Sequence, residues 1–263
     1  MVLFLFLTHL ALGIVFTLAL VSREAGVKFF RFNAGLAVVL IAVAMALRPP
    51  RHPQGAELVA LAALVVAEAA LLLYWATVGR MLAKVRPALV GIACAAGFVA
   101  IVAQALDAAA GQPLAFQILT PASFLSSAAL LGGASTAMIL GHWYLVIPSL
   151  RVSHLQSIVK VHIASMVVRV AVVAAAVVVA LAIWRPELGP SFRHYITSIA
   201  GIFFWQRILF GLAGPSLLSY LTWETAKIRS TQSATGILYV DFFTVVVGEV
   251  LAKYLLLATH VPV

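Results

Sequence analysis

Eight runs of apolar residues, separated by short polar segments, divide the chain. The runs are Val2–Val21, Asn33–Leu47, Leu58–Val78, Ala88–Leu106, Pro121–Ile147, Ile158–Trp184, Ile196–Leu221 and Ile237–Ala258. All but the second approach or exceed the roughly 20 residues that a helix needs to cross about 30 Å of hydrocarbon. The pattern predicts an all-α integral membrane protein, a bundle of about eight transmembrane helices forming one polytopic domain over residues 1–263.

Composition indicates that lipid is the solvent. Apolar residues make up 64% of the chain and charged residues 10%, whereas soluble domains are about 45–50% apolar and 25% charged. The net charge of +9 comes from basic residues in short loops, so we interpret it as membrane topology and expect no nucleic-acid partner. The apolar start lacks a basic n-region and a small-x-small cleavage site, which predicts a retained first helix.

Loop charges predict the orientation. With the N-terminus outside, the inward loops hold ten lysines and arginines and the outward loops four. The ten are Arg23, Lys28, Arg31, Arg80, Lys84, Arg86, Arg151, Lys160, Lys227 and Arg229; the four are Arg48, Arg51, Arg185 and Arg193. Basic loops stay on the cytoplasmic side, so we expect both termini outside a cytoplasmic (inner) membrane.

Two prolines and one cysteine add local expectations. Pro121 should end a short interfacial helix over Leu114–Thr120, and Pro215 should kink the seventh helix, because proline lacks a backbone donor. The single cysteine, Cys94, excludes an internal disulfide, a thiolate-bound iron–sulfur cluster and a CxxCH haem attachment.

Six charged residues fall inside the predicted spans, where each is expensive to bury. They are Glu68, Arg169, Arg207, Asp241, Glu249 and Lys253. Glu249 and Lys253 are four residues apart, so they share a helix face. We predict an intramembrane ion-pair cluster of Arg169, Arg207, Asp241, Glu249 and Lys253; it either holds helices together or forms a proton path or polar pocket. Glu68 has no local partner, which favours a functional role.

Two histidines on neighbouring predicted helices suggest a haem. His142 and His162 lie nine and eleven residues from Arg151, so their depths differ by about 3 Å. Antiparallel helices that place histidines at one depth are the arrangement that holds haem b. The alternative is a pair of hydrogen-bonded histidines at the membrane interface.

Residues at both ends of the chain resemble the NrfD-like family, the membrane anchors of polysulfide reductase and dimethyl sulfoxide reductase. The matching positions are His9 within Thr8-His9-Leu10-Ala11-Leu12-Gly13, Glu68 in the third helix, and the segment Gly248-Glu249-Val250-Leu251-Ala252-Lys253-Tyr254-Leu255. The segment Gly141-His142-Trp143-Tyr144 is not a pattern of that family and leaves room for a haem-bearing subfamily.

The resemblance implies a membrane subunit that exchanges electrons with quinone or quinol and with iron–sulfur or cytochrome subunits. Lipids and those subunits are its expected partners. We place the quinone and proton site at His9, Glu68 and Asp107, because a quinone needs donors for its carbonyls and a titratable group for its protons. A secondary transporter or proton channel, and a structural assembly subunit without chemistry, remain the alternative interpretations.

Overall fold

The computed structural model describes residues 1–50, 52–81, 83–147, 151–183 and 191–263. It is 86% helical, and the described residues contain no strand. The helices are α1 (Val2–Leu18), α2 (Gly26–Ala46), α3 (Gly55–Thr77), α4 (Arg86–Ala108), α5 (Leu114–Val146), α6 (Val152–Ala182), α7 (Phe192–Thr197), α8 (Ile202–Ile208), α9 (Gly214–Lys227) and α10 (Thr231–Thr259). The all-α prediction is confirmed.

Helix length and composition make the chain a multi-pass membrane protein. Seven helical segments in the described ranges are long and apolar enough to cross a bilayer. Helix α1 is equally apolar but has 17 residues, which corresponds to about 26 Å. Thirteen of those residues are buried, so α1 lies inside the bundle with little surface for lipid.

The second span is longer than its apolar run. Helix α2 starts at Gly26 and passes through Lys28 and Arg31, although the charge pattern predicts a loop for both residues. The guanidinium of Arg31 lies 5.3 Å from the centre of the Trp75 ring. Long basic side chains can extend toward the polar interface while their helix continues below it, which is why charge alone misplaces this boundary.

The prediction that Pro121 ends an interfacial helix is wrong. Helix α5 runs without a break from Leu114 to Val146, with Pro121 inside it. Proline removes one backbone bond, and the Thr120 hydroxyl next to it donates to the Phe116 carbonyl at 2.7 Å. A single missing donor early in a 33-residue helix costs less than ending a helix in an apolar environment, where every free backbone group is unsatisfied.

The seventh span is interrupted beside Pro215. Helices α8 and α9 are joined by a turn of π-helix over Leu209–Ala213, and Pro215 occupies the first turn of α9. Without an N–H at Pro215 the ordinary ladder cannot continue at this point, and the backbone takes a wider turn. This interruption lies directly after Arg207, one of the buried charges.

Two glycines bring α1 and α5 into backbone contact. A Cβ built on Gly13 would overlap the carbonyl oxygen of Ala128, and one built on Gly132 would overlap the backbone of Gly13. One turn further along, the hydroxyls of Thr17 and Thr136 are 2.6 Å apart. Small residues permit this close approach. Van der Waals contact and hydrogen bonds then hold the two helices together, because the hydrophobic effect does not drive helices to associate within lipid.

A polar contact joins the start of α2 to the start of α6. A carboxylate oxygen of Glu24 lies 2.7 Å from Nε2 of His154, and this hydrogen bond, with Arg151 nearby, holds the pKa of Glu24 below its usual value. The α1–α2 and α5–α6 connections therefore lie at the same end of the bundle, which the alternating topology requires.

We expect Gly13→Ala to destabilise the bundle by about 1–3 kcal/mol, because the new methyl must push α1 away from α5. Thermal unfolding of the detergent-purified protein measures the effect. The matched control is Gly236→Ala, since a Cβ at Gly236 meets nothing within 4 Å. Equal melting temperatures for the two variants would contradict the packing argument.

Reporter fusions test the predicted orientation. Two of the four outward basic residues on which it rests, Arg51 and Arg185, lie outside the described residues. A reporter after Val263 should register outside and one within Gly79–Pro87 inside, because the basic loops favour the cytoplasm. The reverse result would refute the predicted orientation.

Candidate functional site

The carboxylate of Glu249 is the centre of a buried charge cluster. Arg169 donates two hydrogen bonds to this carboxylate, from Nε to Oε1 at 2.9 Å and from Nη2 to Oε2 at 3.2 Å. Arg207 Nη2 donates to Oε1 at 2.8 Å. Lys253 Nζ lies 3.7 Å from Oε2. The structure thus brings together four of the five residues of the predicted ion-pair cluster, from α6, α8 and α10.

Serine hydroxyls of α5 complete the cluster. The Ser127 hydroxyl donates to Glu249 Oε2 at 2.5 Å and accepts from Lys253 Nζ at 2.8 Å. Arg169 Nη1 donates to the hydroxyl and the carbonyl of Ser123 at 2.7 and 3.1 Å. Neither serine carries charge, so α5 contributes hydrogen bonds where a further ionic group would add desolvation cost.

Positive charge exceeds negative charge in this cluster. Arg169, Arg207 and Glu249 have no exposed surface and Lys253 has 1%. Among the described side chains, one carboxylate therefore faces three basic groups, all of them removed from solvent. Each ion loses several kcal/mol of hydration on burial, and Coulomb interactions here are far stronger than at a surface. An arrangement of this kind favours negative charge near the basic groups.

Glycines make room for the Arg207 guanidinium. A Cβ on Gly211, inside the π turn, would overlap Arg207 Nη1, and a Cβ on Gly248 would lie 3.0 Å from the same atom. The two glycines also contact each other, because a Cβ on Gly248 would overlap Gly211 Cα. The π turn therefore brings α10 and Arg207 together next to Glu249. π turns are frequent at functional sites.

His9 of α1 joins the cluster through Ser127. Its Nδ1 lies 3.4 Å from the Ser127 hydroxyl, and its ring packs edge-on to Phe124, with centroids 4.7 Å apart. The imidazole is fully buried. Its Nε2 has no hydrogen-bond partner among the described residues, so one titratable nitrogen in the core is available to a ligand.

Gln104 of α4 lies beside this histidine. The Thr8 hydroxyl, one residue before His9, is 3.5 Å from Gln104 Oε1. The side-chain nitrogen of Gln104 is buried and, like His9 Nε2, has no partner in the part of the chain that the structure describes. Buried polar atoms are nearly always paired. These two nitrogens on neighbouring helices therefore indicate a place where a polar ligand group can be bound.

Asp241 belongs to a second pair and not to the main cluster. Its Oδ2 lies 2.7 Å from Nε2 of His162, and both side chains are fully buried. Asp241 precedes Glu249 by eight residues on α10, about 12 Å along the helix. The prediction of one five-residue cluster is corrected in this respect, because α10 presents its two acids at different depths.

The residues of the predicted pocket, His9, Glu68 and Asp107, lie on three different helices. His9 faces α5, whereas Glu68 lies on α3, which packs against α2 and α4. Glu68 is partly exposed, and its buried Oε2 forms no hydrogen bond with the described residues. Asp107 lies in the last turn of α4. The pocket of these three residues stays a prediction.

The histidines proposed as haem ligands bond to different faces of α10. His142 Nδ1 lies 3.0 Å from the Tyr239 hydroxyl, and His162 bonds to Asp241. Positions 239 and 241 are about 200° apart on a helix. Each histidine thus has its own hydrogen-bond partner on α10, and the haem stays a sequence-based prediction. The described residues also contain no group of three or more metal-ligating side chains.

Sequence reasoning missed Gln104, Ser123 and Ser127. Each is a neutral polar residue inside an apolar run, and such residues are common in membrane helices. The sequence indicates a site only through the charged residues and histidines inside the spans. A usable signal was the concentration of hydroxyls at Ser123, Ser126 and Ser127, which is unusual for a helix surrounded by lipid.

Comparison with known proteins assigns no family. No protein-family model matches the chain, and no curated protein matches it.

We expect Glu249→Gln to destabilise the protein by about 3–5 kcal/mol, because it leaves three buried cations without their carboxylate. The double variant Glu249→Gln/Lys253→Met should recover part of the loss, since one uncompensated charge is removed. Thermal unfolding in detergent measures both.

The control is Glu224→Gln, which breaks the exposed pair with Lys227 and should cost about 1 kcal/mol or less. Equal stability of the single and double variants would show that Glu249 and Lys253 are not coupled.

Proposed function

We propose that the protein is an integral membrane subunit of an electron-transfer complex that binds quinone or quinol at the His9 end of the buried cluster. The observation that carries this proposal is the pair of buried, unpartnered nitrogens, His9 Nε2 and Gln104 Nε2. The Gln104 amide N–H can donate to a carbonyl of the quinone in a water-free site. Because Ser127 donates its proton to Glu249, His9 Nδ1 donates to Ser127, and Nε2 is left to accept a hydrogen bond from a hydroxyl of the quinol.

The chemistry of the site suits exchange between quinone and quinol. A quinone takes up two electrons and two protons to become a quinol, and the neutral His9 imidazole can exchange a proton with the headgroup at Nε2. The Ser127 hydroxyl connects His9 to Glu249 and Lys253, which gives a continuous route by which a proton can be replaced. The surplus of cations favours the arrival of electrons on the headgroup, since it stabilises the negative charge that they bring.

The resemblance to NrfD-like anchors supports the same site. Two of the three regions that carry it, around His9 and around Glu249 and Lys253, lie at opposite ends of the sequence and meet through Ser127. In this proposal the electrons come from, or pass to, an iron–sulfur cluster or haem of a partner subunit. Such a complex belongs in a cytoplasmic (inner) membrane that contains a quinone pool.

Quinone binding by the purified full-length chain tests the proposal. We expect decylubiquinone to quench tryptophan fluorescence saturably, and expect His9→Leu and Gln104→Leu each to weaken binding about tenfold or more, because a buried hydrogen-bond partner of the headgroup is lost. The control His52→Leu alters an exposed loop histidine and should bind normally. Unchanged affinity in both site variants, with normal folding, would refute the proposed site.

A secondary transporter or proton-conducting protein is the second candidate. The interrupted span at Leu209–Ala213 beside a buried cluster favours it, because transporters place ion sites at broken helices. Proteoliposomes loaded with a pH-sensitive dye separate the two functions. Proton flux that Glu249→Gln abolishes, without saturable quinone binding, would favour transport.

A further inference from the structure

A cavity of about 690 Å³ opens at the end of the bundle where α1 and α3 end and α2 and α4 begin. Its walls are largely apolar and include Leu18, Phe30, Val78 and Val90. It contains none of the residues of the Glu249 cluster, so a ligand bound here is independent of the proposed quinone chemistry. An apolar hollow of this size between membrane helices can accommodate part of an acyl chain.

Three cations line this cavity: Arg23, Lys84 and Arg86. Its lining includes no aspartate or glutamate. The side chains of Arg23 and Lys84 form no hydrogen bond or ion pair with the residues that the structure describes. Arg86 is partly engaged, because its Nε and Nη2 donate to the Met81 carbonyl at 3.2 and 2.8 Å. Those bonds hold it in place and leave Nη1 available.

Tyr74 adds a neutral donor to the same lining. The residue is 7% exposed, and its hydroxyl makes no hydrogen bond within the described ranges. A buried phenol usually finds a partner for its hydroxyl. The apolar hollow is therefore bordered by donors from the segment after α1, from α3, from the α3–α4 loop and from the first residue of α4.

We propose that this cavity binds an anionic glycerophospholipid. Its phosphodiester is held by Arg23, Lys84 and the Tyr74 hydroxyl, with Arg86 contributing charge. One acyl chain lies against the apolar wall. Basic pockets between membrane helices on the cytoplasmic side bind anionic headgroups, and the loop charges predict that this end faces the cytoplasm. A soluble phosphate would leave the apolar wall unoccupied, so the cavity favours a lipid.

General loop basicity does not account for the arrangement. Lys28, in the first turn of α2, and Arg80, in the loop after α3, lie at the same end of the bundle and are likewise exposed, yet neither lines the cavity. They therefore supply a matched control with the same change in net charge. If surface potential alone attracted anionic lipid, the two pairs of cations would be equivalent.

Native mass spectrometry of the full-length protein with phosphatidylglycerol or phosphatidylcholine of identical acyl chains tests the proposal. The wild type should bind phosphatidylglycerol more tightly. Arg23→Gln/Lys84→Gln should weaken that binding about 25-fold, about fivefold per charge removed. Lys28→Gln/Arg80→Gln should leave it within about twofold. Tyr74→Phe keeps the shape and charge of the side chain and removes only its hydroxyl. It should weaken phosphatidylglycerol binding several-fold, because the hydroxyl no longer donates to the phosphodiester.

Cys94 gives a second readout, because the chain's single cysteine lines the cavity. Phosphatidylglycerol should slow its alkylation by N-ethylmaleimide in the wild type and in the Lys28→Gln/Arg80→Gln control, but not in Arg23→Gln/Lys84→Gln. Equal losses of lipid binding in the two double variants, equal binding of the two lipids by the wild type, or no protection of Cys94 would each overturn the proposal.

Discussion

Burial of the Glu249 carboxylate with three basic groups is the constraint on which the bundle depends. Water does not reach these ions, so their charge is offset by other groups of the protein. Those groups come from four helices. Helix α6 supplies Arg169, α8 supplies Arg207, α5 supplies Ser123 and Ser127, and α10 supplies the acid itself. A shift in any of these helices exposes a charge to an apolar environment, which costs more than the shift of an apolar surface against lipid.

Close helix approach is what makes that arrangement possible. The contact between Gly211 and Gly248 places α10 against the π turn, and the contact between Gly13 and Gly132 brings α1 near enough for His9 to reach Ser127. In both cases a glycine lies within a turn or two of the polar group that it serves. The small residues determine distances, and the polar residues then determine which helices must be neighbours.

The sequence predicted the helices and the charged members of the site, but not how the site divides. Hydropathy indicated the spans because lipid allows few alternatives to an apolar helix. Spacing on α10 placed Glu249 with Lys253, since four residues make about one turn. Nothing in the sequence indicates that Asp241 takes a different partner, or that His9 contacts Ser127 of α5. Those outcomes depend on the rotation of each helix about its axis, which is set by packing with helices distant in sequence.

The cluster also has a consequence for how the protein is made. Arg169 is separated from Glu249 by 80 residues, and Arg207 by 42, so during synthesis both arginines enter the membrane before their acid exists. Until α10 arrives, α6 and α8 each contain a cation with no carboxylate to offset it, and neither can settle fully into lipid. Insertion of this chain is therefore not a series of independent events. The arrival of Glu249 supplies the carboxylate that both arginines bind, so a chain that ends before α10 leaves their charges uncompensated in the membrane.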